Sequence, residues 1–477
     1  VKTDMLAGWG QHPHVLGHEV RSENLERIVD GRPLSRGLAR SYGDSSLPAP
    51  GDREVVGTTL ADRILAFDEI TGVMRAEAGL SLHDIYYLLL PRGWFVPVTP
   101  GTQFVTLGGM VAADVHGGNH HRDGCFGAHV SRLRMRLASG RIVECSRTEE
   151  RELFLATVGG MGLTGHILEV EFRMMQVSSP WLWGESEQVP SIEKFVEVLA
   201  RDAADWPFTK GWIDCVSRGR SLGRGIMYRA RWATAAEAPA RAPTHKRGFA
   251  VPINLPSWLV NRVTARLYNG FRYRTNARRP GIVHPDVFFY PLDGIRHWNR
   301  LFGRRGFTQY QCVIPHEAGA RALVRIMELI TRKGVVASPV CVIKDCGPEG
   351  EGMLSFPKKG MSLAIDFPVR AWTQRVVDEL NELVITDGGR IYLAKDAFTR
   401  AEHFRAMDPR LDEFLRVRRV WDPEGRFRSA QSARLFGDLA GASAQPAGAA
   451  GQGGQEHGRP APSLPPPSRH VERKRAS

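Results

Sequence analysis

The sequence predicts an α+β fold in two parts with an unstructured tail, and three observations carry that prediction. Through residues 1–178, short β-type runs alternate with glycine turns and helices. A break at Pro180 and the stretch WLWGESEQVPS sets off a second α+β region that runs to about residue 390. From Gly437 to residue 477 the chain is Ala, Gly, Pro, Gln and Ser with almost no large apolar residue. Such a composition cannot offset its ordering entropy by burial.

In the first region VVGTT (55–59), GVMRAEAG (72–79), FVPV (95–98), HVSRLRMRLA (129–138), RIVECS (141–146) and HILEVEFRMM (166–175) read as strands. SLHDIYYLLLPRG (81–93) reads as a helix, with Ser81 as N-cap and Pro91-Arg92-Gly93 as its stop. EERELFLATVGG (149–160) reads as another that ends on Gly159. In the second region SIEKFVEVLARDA (191–203) and HEAGARALVRIMELITRKG (316–334) carry the apolar period of amphipathic helices. GWIDCVS, TQYQCVIP, VVASPVCVIKDC and MSLAIDFPV read as strands, and 391–436 opens on a strand end followed by helices. Residues 244–281 set Trp258, Leu259, Val263, Leu267 and Phe271 at roughly helical spacing among Arg and Lys. That pattern suits a membrane interface. It equally suits an ordinary packed helix, or a flap beside a substrate entrance.

A chain of 477 residues suits two or three domains, and 42% apolar with 24% charged residues is a soluble globular profile. No apolar run is long enough to span a bilayer. The N-terminus lacks a signal-peptide pattern, so a cytoplasmic protein is expected. Six scattered cysteines without a C-x-x-C pair argue against a disulfide framework or a zinc site. The net charge of +13 fits nucleic acid, an anionic membrane surface or a phosphate-bearing substrate. It also fits a merely solvated basic surface, because the arginines are spread and form no block. No nucleic-acid partner is expected.

GMGLTG (160–165) matches G-x-G-x-x-G, but a helix precedes it and a strand follows, the reverse of a Rossmann fingerprint. Three glycine-rich loops make a better unit: SRGLARSYGD (35–44), PGTQFVTLGGMVAADVHGGNHH (100–121) and VGGMGLTGHI (158–167). Closely spaced glycines let backbone N–H groups converge on phosphate oxygens without side-chain interference. His116 and His120 have i,i+4 spacing, yet the glycines around them disfavour a helix and no third ligand is evident. No metal is expected. Gln309 and Gln311, two apart on a strand, share a face.

These loops, in the order R-x-L-x-R-S-Y-G-D, P-G-T-x-x-V-T-x-G-G, D-x-H-G-x-N-H-H and G-G-x-G-L-T-G, resemble those of flavin-linked oxidases of the vanillyl-alcohol-oxidase type. Within that family the resemblance is nearest to the branch that oxidises decaprenylphosphoryl-β-D-ribose at the 2′ position. It extends through WNRLFGRRGFTQYQCVIP, LSFPKKG, AIDFP, IYLAKDAFT and MDPRLDEFLRVRRVWDPEGRF, and covers residues 8–436. It implies a two-part FAD-binding domain over 1–178 and a substrate or cap domain with an antiparallel sheet over 179–390. A segment 391–436 would return to the FAD domain. The implied FAD contacts are Arg36, Gly37, Leu38, Ala39, Arg40, Ser41 and Tyr42 in the first loop. In the second they are Pro100, Gly101, Thr102, Thr106, Gly108, Gly109, Ala113, His116, Gly117, Asn119 and His120. Gly160, Gly162, Leu163, Gly165 and Ile167 of the third, with Tyr392, complete the set. Relatives with covalent flavin often carry a histidine where this chain has Arg40, so FAD is expected to be noncovalent.

By the same resemblance Lys395 lies between flavin and substrate, where a fixed cation would stabilise the charge that hydride leaves around flavin N1. Lys395, His116, Gln311 and Lys344 are the implied catalytic residues. Tyr42, Trp212, Phe289, Gln309, Ser362 and Ala364 join them around the substrate. Mycobacterial members have cysteine at the position of Ala364, asparagine at Ser362 and lysine at Gly118, so the sugar-side contacts here differ. The implied reaction turns the 2′-hydroxyl of a polyprenyl-phosphoryl ribose into a ketone. A separate NAD(P)H-dependent reductase would complete epimerisation to the arabinose donor for cell-wall polysaccharide. An alditol or sugar-lactone oxidase, and a flavin-fold binding protein without turnover, are the alternatives.

Overall fold

A computed structural model describes residues 4–244, 248–256, 258–275, 279–335 and 341–438. Two sheets form the N-terminal part. The first has four strands in the order Asp4–Ala7, His14–Arg21, Glu54–Gly57 and Ser35–Arg36. The short strand Ser35–Arg36 runs parallel to Glu54–Gly57 and delivers the chain directly into the loop that follows it. The second is a five-stranded antiparallel sheet in the order Ile64–Phe67, Val73–Glu77, His166–Arg173, Val130–Arg136 and Ile142–Ser146. Its strands alternate as a half-buried sheet must. Met74, Ala76, Leu133, Met135, Val170 and Phe172 are buried on one face. On the other face Glu169 pairs with Arg75 at 2.6 Å and with Arg134 at 3.1 Å.

Helix Leu82–Leu89 is capped as expected, Ser81 Oγ accepting from the Asp84 N–H. It ends within the expected Pro91-Arg92-Gly93 stop. A 3₁₀ turn, Leu90–Arg92, carries it on to Gly93, whose φ of 82° ends it. Proline is tolerated in that first turn because the N–H it lacks would have no partner there. The expected strand FVPV is reduced to Trp94–Phe95, paired with Met175–Gln176. Helix Arg151–Thr157 precedes GMGLTG and strand His166–Arg173 follows it, as the sequence order requires.

The largest sheet has eight strands among the described residues, each pair antiparallel. Their order is Gly281–Val283, Leu182–Val189, Gly225–Trp232, Phe208–Ile213, Cys341–Cys346, Gly360–Pro368, Phe307–Pro315 and Arg390–Ile391. Helices Ile192–Asp205, Gly319–Lys333 and Thr373–Thr386 supply Phe195, Leu199, Leu323, Ile326, Ile330, Leu380 and Val384 to the core on one side of it. Thr373–Thr386 was not anticipated from the sequence. Strand Arg390–Ile391 straddles the boundary expected at 390 and belongs to this sheet. The helices after it pack back on the N-terminal part, where Arg434 pairs with Asp44 at 2.8 Å and Arg428 with Asp52 at 2.7 Å.

The start expected for the tail needs correcting. Gly437, at φ 80°, caps helix Ala430–Phe436, and Asp438 pairs with the buried Arg418 at 2.7 Å. Both residues therefore pack with the helices before them, and the rest of the expected tail lies outside the described residues. Among the described residues no helix is long and apolar enough to cross a membrane.

Candidate active site

A cavity of about 600 Å³ lies between the three glycine loops and the face of the eight-stranded sheet that its helices leave uncovered. The register of the sheet builds the floor. Trp212 sits opposite Val342, Val342 opposite Ala364, and Ala364 opposite Gln311. One pleat along, Lys344 sits opposite Ser362. Alternate residues of a strand share a face, so Gln309 and Gln311 line the cavity together with Trp212, Lys344, Ser362 and Ala364. Phe289 closes one wall, in an aromatic cluster with Phe95 and Phe208.

The loops supply the other side. Gly37, Leu38, Ala39, Arg40, Ser41 and Tyr42 line the cavity, as do Pro100, Gly101, Thr102, Thr106, Gly108, Gly109, Ala113 and His116. Gly162, Gly165 and Ile167 line it from the third loop, with Tyr392 and Lys395 from the C-terminal segment. The backbone is unusual where the loops turn: Ala39 has φ 54°, Met161 φ 55° and Gly162 φ 80°. Strain of this kind in non-glycine residues concentrates at ligand sites. A Cβ on Gly101 or Gly162 would meet no protein atom within 4 Å, so these glycines leave space that side chains would otherwise occupy. A short helix, Leu107–Ala112, runs through the second loop with Thr106 as N-cap. Its Gly108 lies so close to the end of strand Val73–Glu77 in the second sheet that a Cβ would sit 3.1 Å from Ala78.

The first loop also fixes Lys395. The Tyr42 N–H donates to the Ala394 carbonyl at 2.9 Å. A Cβ on Gly43 would lie 1.8 Å from the Asp396 carbonyl oxygen, so the two chains touch along their backbones. Lys395 Nζ stands 3.9 Å from the centre of the Tyr42 ring. Burial pulls the Lys395 ammonium well below the ordinary lysine range, opposed by nearby Asp366 and reinforced by Lys344. Burial lowers Lys344 likewise and raises the Asp366 carboxyl, which Gln309 contacts by hydrogen bond. His116 is held neutral first by burial and then by Lys344, His120 and Lys395. Gln311 Nε2 donates to its Nε2 at 3.0 Å and to Ser362 Oγ at 3.2 Å. That assigns the imidazole proton to Nδ1, which is buried and has no hydrogen-bond partner among the described residues. Tyr392 ties the floor to the loops, its N–H donating to Gln311 O and its hydroxyl to Ala113 O, both at 2.9 Å.

Six residues expected to touch the cofactor do not line the cavity and act from behind. Arg36 is buried beside Glu19 and donates to Ala7 O at 2.7 Å. Asn119 donates to Pro97 O and Asp123, holding the second loop's bend. His120 accepts from the Gly347 N–H through Nδ1, while His121 bonds Trp206 O. The three histidines thus point to separate partners. Gly117 and Gly160 allow close backbone approach, to Thr99 O and Ala156 O respectively, and Leu163 packs in the core. Residues not anticipated include Asp293, Tyr228, Tyr268 and Arg272. Asp293 accepts from Thr102 Oγ1 at 2.7 Å and Gln103 N at 2.8 Å, gripping the second loop from the far side of the cavity. No local pattern marks it, because its partners lie some 190 residues away.

Residues 32–146 match the FAD binding domain family. A decaprenylphosphoryl-β-D-ribose oxidase of Mycolicibacterium smegmatis is 34% identical over 91% of this chain and 97% of its own length. An uncharacterized protein of Streptomyces coelicolor is 33% identical over 75% of this chain and all of its own. A putative D-arabinono-1,4-lactone oxidase of Neurospora crassa is 26% identical over 30% of this chain and 25% of its own. The strained glycine loops with open Cβ directions fit the cofactor that the family match names, and the polar floor across from them fits a hydroxylated substrate. The chain belongs to the FAD-linked oxidases of the vanillyl-alcohol-oxidase type, in the family of the decaprenylphosphoryl-β-D-ribose oxidases, and is an FAD-dependent oxidoreductase acting on CH–OH groups.

Proposed function

We propose that this oxidase converts the 2′-hydroxyl of a polyprenyl-phosphoryl-β-D-ribose to the 2′-ketone, with FAD held noncovalently. The observation that carries the reading is the meeting of Lys395, Lys344, Gln311 and His116 in one cavity, opposite the glycine loops. The activity named for the Mycolicibacterium relative supports it across nearly the whole chain. Bound FAD would supply the hydride acceptor. The protein's own residues do the rest. Gln309, Gln311 and Ser362 offer hydrogen bonds to sugar hydroxyls, and the Lys344 ammonium suits a phosphate. Lys395, which burial shifts toward the free amine, would accept the proton of the reacting hydroxyl as the hydride leaves, and the ammonium so formed would stabilise the negative charge developing beside it. The His116 Nδ1–H is a donor waiting inside the cavity wall. Arg40 is wedged between Trp9 and Phe104, its guanidinium 4.0 and 5.1 Å from the two rings, and offers no imidazole for a flavin bond. The keto product would then pass to a separate NAD(P)H-dependent reductase.

Product analysis tests the reading. Incubation with a prenyl-phosphoryl-β-D-ribose should give a product lighter by two hydrogens. Borohydride should reduce it to both C2′ epimers, ribose and arabinose. Unchanged substrate, or oxidation at another carbon, would overturn the assignment.

A further inference from the structure

Helix Arg262–Thr275 is built inside out. The residues it buries are small or polar: Ala265, Asn269 and Gly270, with Asn269 donating to Asp214 Oδ1 at 2.8 Å. Its large apolar residues face solvent. Val263, Leu267 and Phe271 are 67%, 70% and 67% exposed. Their i, i+4, i+8 spacing puts them in one stripe along the outer side. Trp258, just before the helix, is 70% exposed. A contiguous apolar stripe of this kind marks an interaction site.

The occupant can be read from charge and position. Phe249–Thr275 contains no Asp or Glu, while Arg262, Arg266 and Arg274 are exposed around the stripe. The same helix borders the cavity. Tyr268 and Arg272 line its wall, and the Arg272 guanidinium lies 4.5 Å from the Trp212 ring on the floor. We infer that this helix docks on an anionic lipid bilayer, inserting Val263, Leu267 and Phe271 among the acyl chains with its arginines at the headgroups. That arrangement turns the cavity wall toward the membrane. The inference deepens the proposed function, resting on it for the purpose of docking, namely delivery of a lipid-linked sugar.

The test uses the full-length FAD-loaded protein and vesicles without sugar, so its outcome does not depend on the substrate assignment. The protein should sediment with phosphatidylcholine vesicles containing phosphatidylglycerol, and much less with phosphatidylcholine alone. Salt should weaken the binding without abolishing it, since charge attraction is screened and apolar insertion is not. The triple variant Val263→Ser, Leu267→Ser, Phe271→Ser should lose roughly a hundredfold in partition, given the apolar area removed. Because these side chains are exposed, its flavin content and melting temperature should stay at wild-type values. Paired Arg266→Glu and Arg274→Glu should lose the preference for phosphatidylglycerol. Absence of wild-type binding, or equal binding by the triple variant, would overturn the inference. So would a wild-type dimer that the triple variant converts to monomer without change in vesicle partition, which would assign the stripe to a second copy of the chain.

Discussion

Replacing Lys395 with methionine keeps an unbranched side chain beside Tyr42 and removes the ammonium that lies over its ring. Loss of one preorganised electrostatic contact at a reacting centre costs about a hundred- to a thousandfold in rate, ~2.7–4 kcal/mol. Lys344 shares the cavity and retains part of the positive field, so the lower end of that range is expected. Stability should move the other way. The folded protein holds Lys395 below the ordinary lysine value of 10.5 because burial disfavours the ammonium. Between the two values the unfolded chain binds more protons, so wild-type stability falls as pH drops through that window. Lys395→Met removes the penalty. Its melting temperature without FAD should match wild type at high pH, and exceed it increasingly as pH falls toward the depressed value, then hold constant. Stopped-flow flavin reduction and thermal melts across pH measure the two arms. A reduction rate near wild type, or a variant that becomes less stable on acidification, would refute the reasoning.

Three further outcomes follow from the geometry. Gly43→Ala drives a Cβ into the Asp396 backbone, which cannot yield as a side-chain tip could. The expected loss is about 1–3 kcal/mol with reduced flavin content, and unchanged melting and colour would show that the loop shifts freely. On the proposed noncovalent binding, acid precipitation should leave all of the FAD in the supernatant, since Arg40, held against Trp9 and Phe104, offers no imidazole for a flavin bond. Colour in the pellet would contradict a noncovalent site. Ala364→Cys puts a thiol on the cavity floor, whereas the native cysteines are all buried and none lines the cavity. The variant should become sensitive to thiol reagents and be protected by substrate. Labelling without loss of activity would move this strand away from the chemistry.

The sheets and amphipathic helices were legible where local periodicity and tertiary burial agree. Gln309 and Gln311 share a face in the sequence and on the cavity floor alike. Sequence reasoning failed where distant contacts decide. Leu107–Ala112 is helical despite Gly108 and Gly109; the close approach to Ala78 accounts for Gly108, which has little room for a side chain there. Glycine spacing marked the loops but could not separate the residues that face the cavity from His120 and Asn119, which brace it. Asp293 had no signal at all. Setting a half-buried carboxylate against Thr102 and Gln103 is a choice made by the assembled fold. The apolar residues of 258–271 were visible as a pattern, yet only their exposure separates an outward stripe from a packed face.

Anaerobic titration of the bound flavin tests the central claim most directly. Prenyl-phosphoryl-β-D-ribose should bleach the flavin band to completion, one equivalent per bound FAD, while free ribose and unphosphorylated alditols leave it intact. Equal bleaching by an unphosphorylated alditol, or none by the phosphoryl-lipid sugar, would contradict the account.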